Sequence, residues 1–188
     1  MAFSKEPIIT VQELLSFLGD DVTTPEDEHY KVLEEIVKGA SEFCEDYIGN
    51  PIIIQTFEER LSGDGSDILK LGHYPVVEVV SVIDPEGRDM TEFTDFYEDG
   101  WIYLFRGTFR PGKQNYKVTY RAGYAEDVAS VPFVFKEACK TIAAYRVKRE
   151  IKEYSQSFGE SQFAEQPFPP ESAKSALDIF RTRRVSMV

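Results

Sequence analysis

Residues 25–49 read PEDEHYKVLEEIVKGASEFCEDYIG. Apolar or small residues recur at Tyr30, Leu33, Val37, Ala40, Cys44 and Tyr47, with Ile36 and Phe43 widening the stripe. Steps of three and four mark one face of an α-helix. The opposite face carries Glu28, Lys31, Glu35, Lys38, Glu42 and Glu45. Thr24 is placed to cap the start, Pro25 suits the first turn, and Asp27 completes a capping-box-like pattern. Gly49 suits the left-handed position after the last turn, and Pro51 blocks continuation. The spacing predicts a helix over 25–48, roughly 36 Å long at about 1.5 Å per residue. Such a stripe needs a partner. The one other segment long enough to supply it is 132–153, where Val134, Ala138, Ile142 and Tyr145 fall near one face.

Outward from this pair, Thr10 to Glu13 form a capping box that opens a short helix over 10–18, stopped by Gly19. From Ile52 the pattern shortens. Strands are predicted at 52–57, 68–71, 76–83, 93–97, 101–105 and 116–122. Between them lie turn signals at Gly63–Ser66, Asp84–Gly87, Asp99–Gly100 and Arg110–Lys113. This reads as an antiparallel meander inserted over 52–124. Residues 155–170 are polar and turn-rich, as in a linker or extended arm. Ala173, Ala176, Leu177 and Phe180 can support a last short helix, followed by a basic tail with Arg181, Arg183 and Arg184. The expected class is α+β: a small helical bundle (25–48 on 132–153), an inserted β meander and a C-terminal arm. Residues 1–154 form the expected main domain and 155–188 the arm.

The 188-residue chain carries a net charge of −12. Residues 1–100 hold 24 acidic and 6 basic side chains, and residues 101–188 hold 9 and 15. The acidic half opposes binding to phosphate backbones. The asymmetry suits pairing between copies, or simply two solvated faces. No run of 18 apolar residues is present, so no membrane helix is expected. The start, MAFSKEPIITVQ, does not read as a secretory signal. Cys44 and Cys139 lack metal or redox spacing and read as small buried residues in a reducing, cytosolic setting.

A catalytic set is not legible. The sequence has no G-x-S-x-G elbow, Walker A loop or GxGxxG. His29 and His73 have no ligand-spaced partners and read as structural. Asp64–Asp67 lacks the spacing of a calcium loop and reads as a surface turn. No catalytic, cofactor or metal residue is therefore assigned. Aromatics crowd the β region, from Phe93 to Tyr124, and read mainly as core, with an exposed subset suited to a protein interface. Arg106, Arg110, Lys113, Lys117 and Arg121 interleave with them, as on a single-strand nucleic-acid platform or on solvated strand faces. Two readings unrelated to assembly stay open: a β-module that binds peptide or carbohydrate, and a hydrolase built on a carboxylate pair.

Several phrases resemble the phage head–tail connector (adaptor) family. Ile9–Leu14 is similar to the family's first helix, and Ile36–Gly49 to its second, with an Ala–Ser pair, an acidic residue, an aromatic and a terminal glycine. Leu71-Gly72-His73-Tyr74-Pro75-Val76 is similar to its approach to the strands. Tyr120-Arg121-Ala122-Gly123-Tyr124, then Val131-Pro132 and a helix, is similar to its strand–helix passage. Phe168–Ala173 leading to Phe180-Arg181 is similar to its Pro-capped last helix and basic end. The long β insertion resembles the longer variant of the family. The resemblance implies a structural virion protein made in the host cytoplasm and placed in the neck. It would form a homo-oligomeric ring, typically of twelve copies, between the portal protein and the next neck or tail-completion protein. DNA would pass through the lumen without sequence-specific binding. On that basis Leu177, Phe180, Arg181, Arg183 and Arg184 are expected to form a portal-docking arm. Glu35, Glu42 and Glu45 are expected to face the lumen or a neighbouring copy.

Overall fold

A computed structural model describes residues 6–19, 29–150 and 167–181. These fall into two compact units, one from 1–49 with 127–188 and one from 50–126. The first is helical: α1 (Val11–Leu18), α2 (Tyr30–Ile48), α3 (Phe133–Glu150) and α4 (Glu171–Arg181). The second is β: β1 (Gln55–Gly63), β2 (Ile68–Lys70), β3 (Val76–Ile83), β4 (Thr94–Tyr97), β5 (Trp101–Leu104) and β6 (Gly112–Ala122), with a 3-10 turn at Thr91–Phe93. The chain is α+β, as its periodicities require.

In the helical unit α2 and α3 form the spine, and α1 and α4 each pack on both. The capping box of α1 is present: Thr10 Oγ1 accepts from Glu13 N–H at 3.1 Å, and Glu13 Oε2 accepts from Thr10 N–H at 2.8 Å. Helix α2 is entered at Tyr30, five residues later than expected. Its N-cap is His29, which makes no side-chain cap bond; Thr24, Pro25 and Asp27 lie outside the described residues. Gly49 closes it at φ +71°, donating its N–H to Glu45 O at 2.8 Å. That left-handed geometry is cheap for glycine alone. The buried face runs Leu33, Ile36, Val37, Ala40, Ser41, Cys44, Glu45 and Ile48. Tyr30 and Tyr47, which the spacing placed on the stripe, are only half-buried. Ser41 enters the core because its hydroxyl is satisfied. It donates to Val37 O at 2.9 Å, accepts from Ile8 N–H at 3.1 Å and lies 3.5 Å from Cys139 Sγ. Cys44 and Cys139 are free and buried. A hydrogen bond from the Cys44 thiol to Cys139, and then burial, push the Cys44 thiol's pKa up, so it stays protonated.

The β unit departs from a meander. Strand β6 lies at the centre of one sheet, in the order β1-β6-β3, and β5 at the centre of the other, β2-β5-β4; all pairings are antiparallel. The reason is the length of β6. Tyr116, Val118, Tyr120 and Ala122 alternate inward over its half, so both edges can be paired along it. The two sheets share one core with Leu69, Val82, Ile102, Leu104, Val118 and Tyr120. A second correction concerns Ile52–Ile54. They precede the ladder, and β1 begins at Gln55 and continues to Gly63. Ile52 O accepts from Tyr124 and Ala125 N–H at 2.9 and 3.0 Å, and Ile53 bridges Ala125 in parallel. These contacts seam the first residues of the unit to its last.

The turn after β3 carries the expected Asp-Pro-Glu-Gly. Gly87 N–H donates to Asp84 O at 3.0 Å. Asp84 Oδ1 accepts from Glu86 and Arg88 N–H at 2.9 and 2.8 Å, and the Arg88 guanidinium lies 2.6 Å from Oδ2. Burial works to raise this carboxyl, but the Arg88 N–H and guanidinium outweigh it and hold it below its ordinary value of 3.8. A carboxyl depressed in the fold contributes stability above its unfolded value and loses it as pH falls through the folded one. Asp84→Asn should therefore lower stability at neutral pH and flatten the acid limb below pH ~4, read by unfolding of the β unit against pH. An unchanged acid limb would remove Asp84 from the pH response.

Candidate assembly surfaces

Helix α4 is held by the chain's own bundle. Ala173 and Leu177 are buried, Leu177 completely. Phe180 sits 4.4 Å from the Phe135 ring. Tyr47 O–H donates to Asp178 Oδ1 at 2.7 Å, and the Arg181 guanidinium lies 5.2 Å from the Tyr47 ring centroid. Burial and the bond to Asp178 raise the Tyr47 hydroxyl's pKa. Of the expected arm, Leu177 and Phe180 are thus anchors inside the bundle, and Arg181 is exposed. Arg183 and Arg184 lie outside the described residues.

The acidic face of α2 is narrower than its spacing suggests. Glu35 is exposed and Glu42 half-buried, but Glu45 is 1% exposed. Glu45 follows Ser41 by one turn, on the same side of α2. It is a buried residue of the bundle, not part of an outer stripe.

In the β unit the strands sort the aromatics. Across β5, Ile102 and Leu104 point inward while Trp101 and Tyr103 are half-exposed. The outer face of β2-β5-β4 therefore carries Tyr97, Trp101 and Tyr103, with Phe93 and Phe105 at its edge. Tyr97 and Tyr103 stack at 5.1 Å, and Phe105 meets Tyr103 edge-on at 6.2 Å. Tyr103 O–H donates to Asp95 Oδ2 at 3.1 Å. Phe93, Tyr97 and Phe105 are 56%, 60% and 59% exposed. Exposed aromatics grouped in this way are suited to a protein interface.

Of the five basic residues that interleave with these aromatics, three are held in ion pairs with neighbouring carboxylates. Arg110 pairs with Glu86, Lys117 with Glu58 at 2.9 Å, and Arg121 with Glu78 and Glu126 at 3.3 and 2.9 Å. Glu59, on the inner side of β1, is committed to structure. It accepts from Tyr120 O–H at 2.8 Å and Gly72 N–H at 3.0 Å. Burial, with that bond to Glu59, drives the Tyr120 hydroxyl far above its ordinary pKa. His73 lies beside it, its ring 4.3 Å from Phe57, and His29 caps α2. Among the described residues no cluster of His, Cys, Asp or Glu is arranged to hold a metal, and no helix is long and apolar enough to cross a membrane.

A family model described as head completion protein matches residues 7–183. The chain belongs to the head completion protein family. It is thus a structural protein of the phage head–tail connection and not an enzyme. The peptide- or carbohydrate-binding module and the carboxylate hydrolase are accordingly not favoured. Solved structures share the fold of this head completion protein. A chain in the neck of the empty gene transfer agent particle, determined with C6 symmetry, matches at a TM-score of 0.64 and 15% identity, over 96% of this chain and 92% of that one. A chain in the virion of the native gene transfer agent particle matches at 0.65 and 15%, over 100% and 96%. A chain in the native neck, determined with C12 symmetry, matches at 0.60 and 15%, over 97% and 96%. No curated protein sequence matches significantly.

Proposed function

We propose that this head completion protein assembles in the virion neck as a ring beneath the portal protein. The ring extends the DNA channel and gives the next neck or tail-completion protein its docking surface. The observation that carries this reading is the match, along at least 96% of this chain, to chains from particle necks determined with C6 and C12 symmetry. A twelve-copy ring is the expected form. Chemistry supports the same reading. The excess of acidic residues in the first hundred positions lets DNA slide past rather than stick. Glu35 and Glu42 are the α2 carboxylates placed to face the lumen or a neighbour. Arg181, with Arg183 and Arg184 beyond it, supplies the portal contact, while Leu177 and Phe180 hold α4 in position to present it.

The test is binding to the portal of the same phage. Wild-type protein is expected to form a closed ring on the portal, seen as a single high-mass species by native mass spectrometry. Reversing Arg181, Arg183 and Arg184 to Glu should weaken docking at low salt far more than at high salt, because exposed charges are screened over about 10 Å at 0.1 M. Docking that is equally strong at both salt concentrations would take the basic end out of the contact.

A further inference from the structure

We infer that the acidic, aromatic face of sheet β2-β5-β4 docks into a groove on the helical unit of a second copy. The inference rests on the ring reading and names the two surfaces that meet.

The face has a distinctive composition. Residues 91–99 read TEFTDFYED, with four carboxylates and no basic residue. Glu92, Phe93, Asp95, Tyr97 and Glu98 are all exposed. Phe105 N–H donates to Phe93 O at 3.0 Å, which sets the two exposed phenylalanines side by side. Glu92 and Glu98 make no ion pair among the described residues.

The groove has complementary chemistry. It measures about 400 Å³ and lies between α2, α3 and the turn before α4. Phe43, Ile142, Tyr145 and Phe168 give it an apolar floor, and Arg146, Arg149 and Glu150 edge it. Phe168 is half-exposed, with its ring 5.1 Å from Phe43 and 5.8 Å from Tyr145. Arg146 pairs with Glu150 at 3.1 Å, so the rim's uncompensated charge is Arg149, which is exposed and without an ion pair among the described residues. At Gly39 a Cβ would collide with the Arg146 guanidinium, so the glycine leaves that side chain its place along the rim.

An aromatic floor beside the exposed Arg149 suits an aromatic residue flanked by carboxylates. The 91–99 segment supplies that combination. The two surfaces are different patches of one chain, so their pairing is heterologous, the type that repeats head to tail and can close a ring. Aromatic residues and arginine are also the side chains that dominate interface cores.

A charge swap tests the pairing, read as ring mass on the portal by native mass spectrometry. The changes are at exposed positions that make no ion pair among the described residues, so melting midpoints should stay at the wild-type value. Glu92→Arg with Glu98→Arg, or Arg149→Glu alone, should raise the concentration needed for half-assembly at least tenfold. The chain carrying all three changes should assemble close to wild type. Three outcomes overturn the inference. If wild type forms rings and the swaps assemble equally well, the interface lies elsewhere and the ring reading stands. If each swap disrupts assembly but the combined chain is not rescued, the two surfaces do not meet each other. If wild type forms no ring even on the portal, the ring reading falls, and this pairing with it.

Discussion

Leu177→Ala should cost the helical unit about 2–5 kcal/mol, the range for truncating a fully buried leucine. The side chain has no exposed surface and lies on α4, which packs on both α2 and α3. Its neighbours on the helix, Phe180 against Phe135 and Asp178 against Tyr47, share the anchorage. The readout is the denaturant midpoint of the far-ultraviolet helical signal. A helix that orders only on the portal would give a shift near zero. The same expectation revises the design of any truncation. Removing residues 172–188 takes out a part of the bundle as well as the basic end. Loss of portal binding in that variant would say nothing about docking. The charge reversals separate the two effects, and the truncation does not.

Gly123→Ala should destabilise the β unit by about 3 kcal/mol or more. Two costs add. Gly123 holds φ at +146°, where a side chain is strained by roughly 1–3 kcal/mol. An added Cβ would also stand 2.6 and 2.7 Å from the Cα and N of Ile54, backbone atoms that cannot swing aside. Gly87→Ala is the control. Its φ is +82°, but nothing lies within 4 Å of the new atom, so it pays for conformation alone, about 1 kcal/mol. Trp101, the one tryptophan, sits on β5 and reports unfolding of this unit. Equal shifts for the two variants would mean that the collision at Ile54 is relieved without cost.

Local chemistry was the legible part of this chain. The Thr10–Glu13 capping box, the Asp84–Gly87 turn and the Gly100 hairpin form between residues a few positions apart, so their types suffice to place them. Strand order was not legible, because β6 reaches β1 and β3 across long stretches of chain and nothing local marks a central strand. Ile52–Ile54 misled for a related reason. Their branched side chains favour extended backbone, yet their partners are the last residues of the unit and not a ladder. Helical spacing alone puts Glu45 on the exposed face of α2. Burial on that side of α2 is set by tertiary packing, to which residues far off in sequence contribute, as when Ile8 bonds Ser41 from 33 positions away. The candidate surfaces followed the same division. An acidic–aromatic stretch was visible in composition, but only strand register separates Phe96, which faces the core, from Phe93, Tyr97 and Phe105, which do not. The basic end was legible as charge, whereas the anchoring of Leu177 and Phe180 required the tertiary fold.

The seam at Ile52–Ile54 and Tyr124–Ala125 also bears on how the chain reaches this state. Before it forms, α2 and α3 are the two ends of a floppy loop of roughly 80 residues, and bringing them together is entropically costly. Once it forms, the intervening chain is reduced to the few residues on either side of the stitch. Loop-closure entropy grows by about 0.6 kcal/mol per doubling of length, so the shortening is worth roughly 2 kcal/mol to the helical pair. The β unit then acts as a clasp for the search between the two helices, and Gly123, lying against Ile54, is its hinge pin.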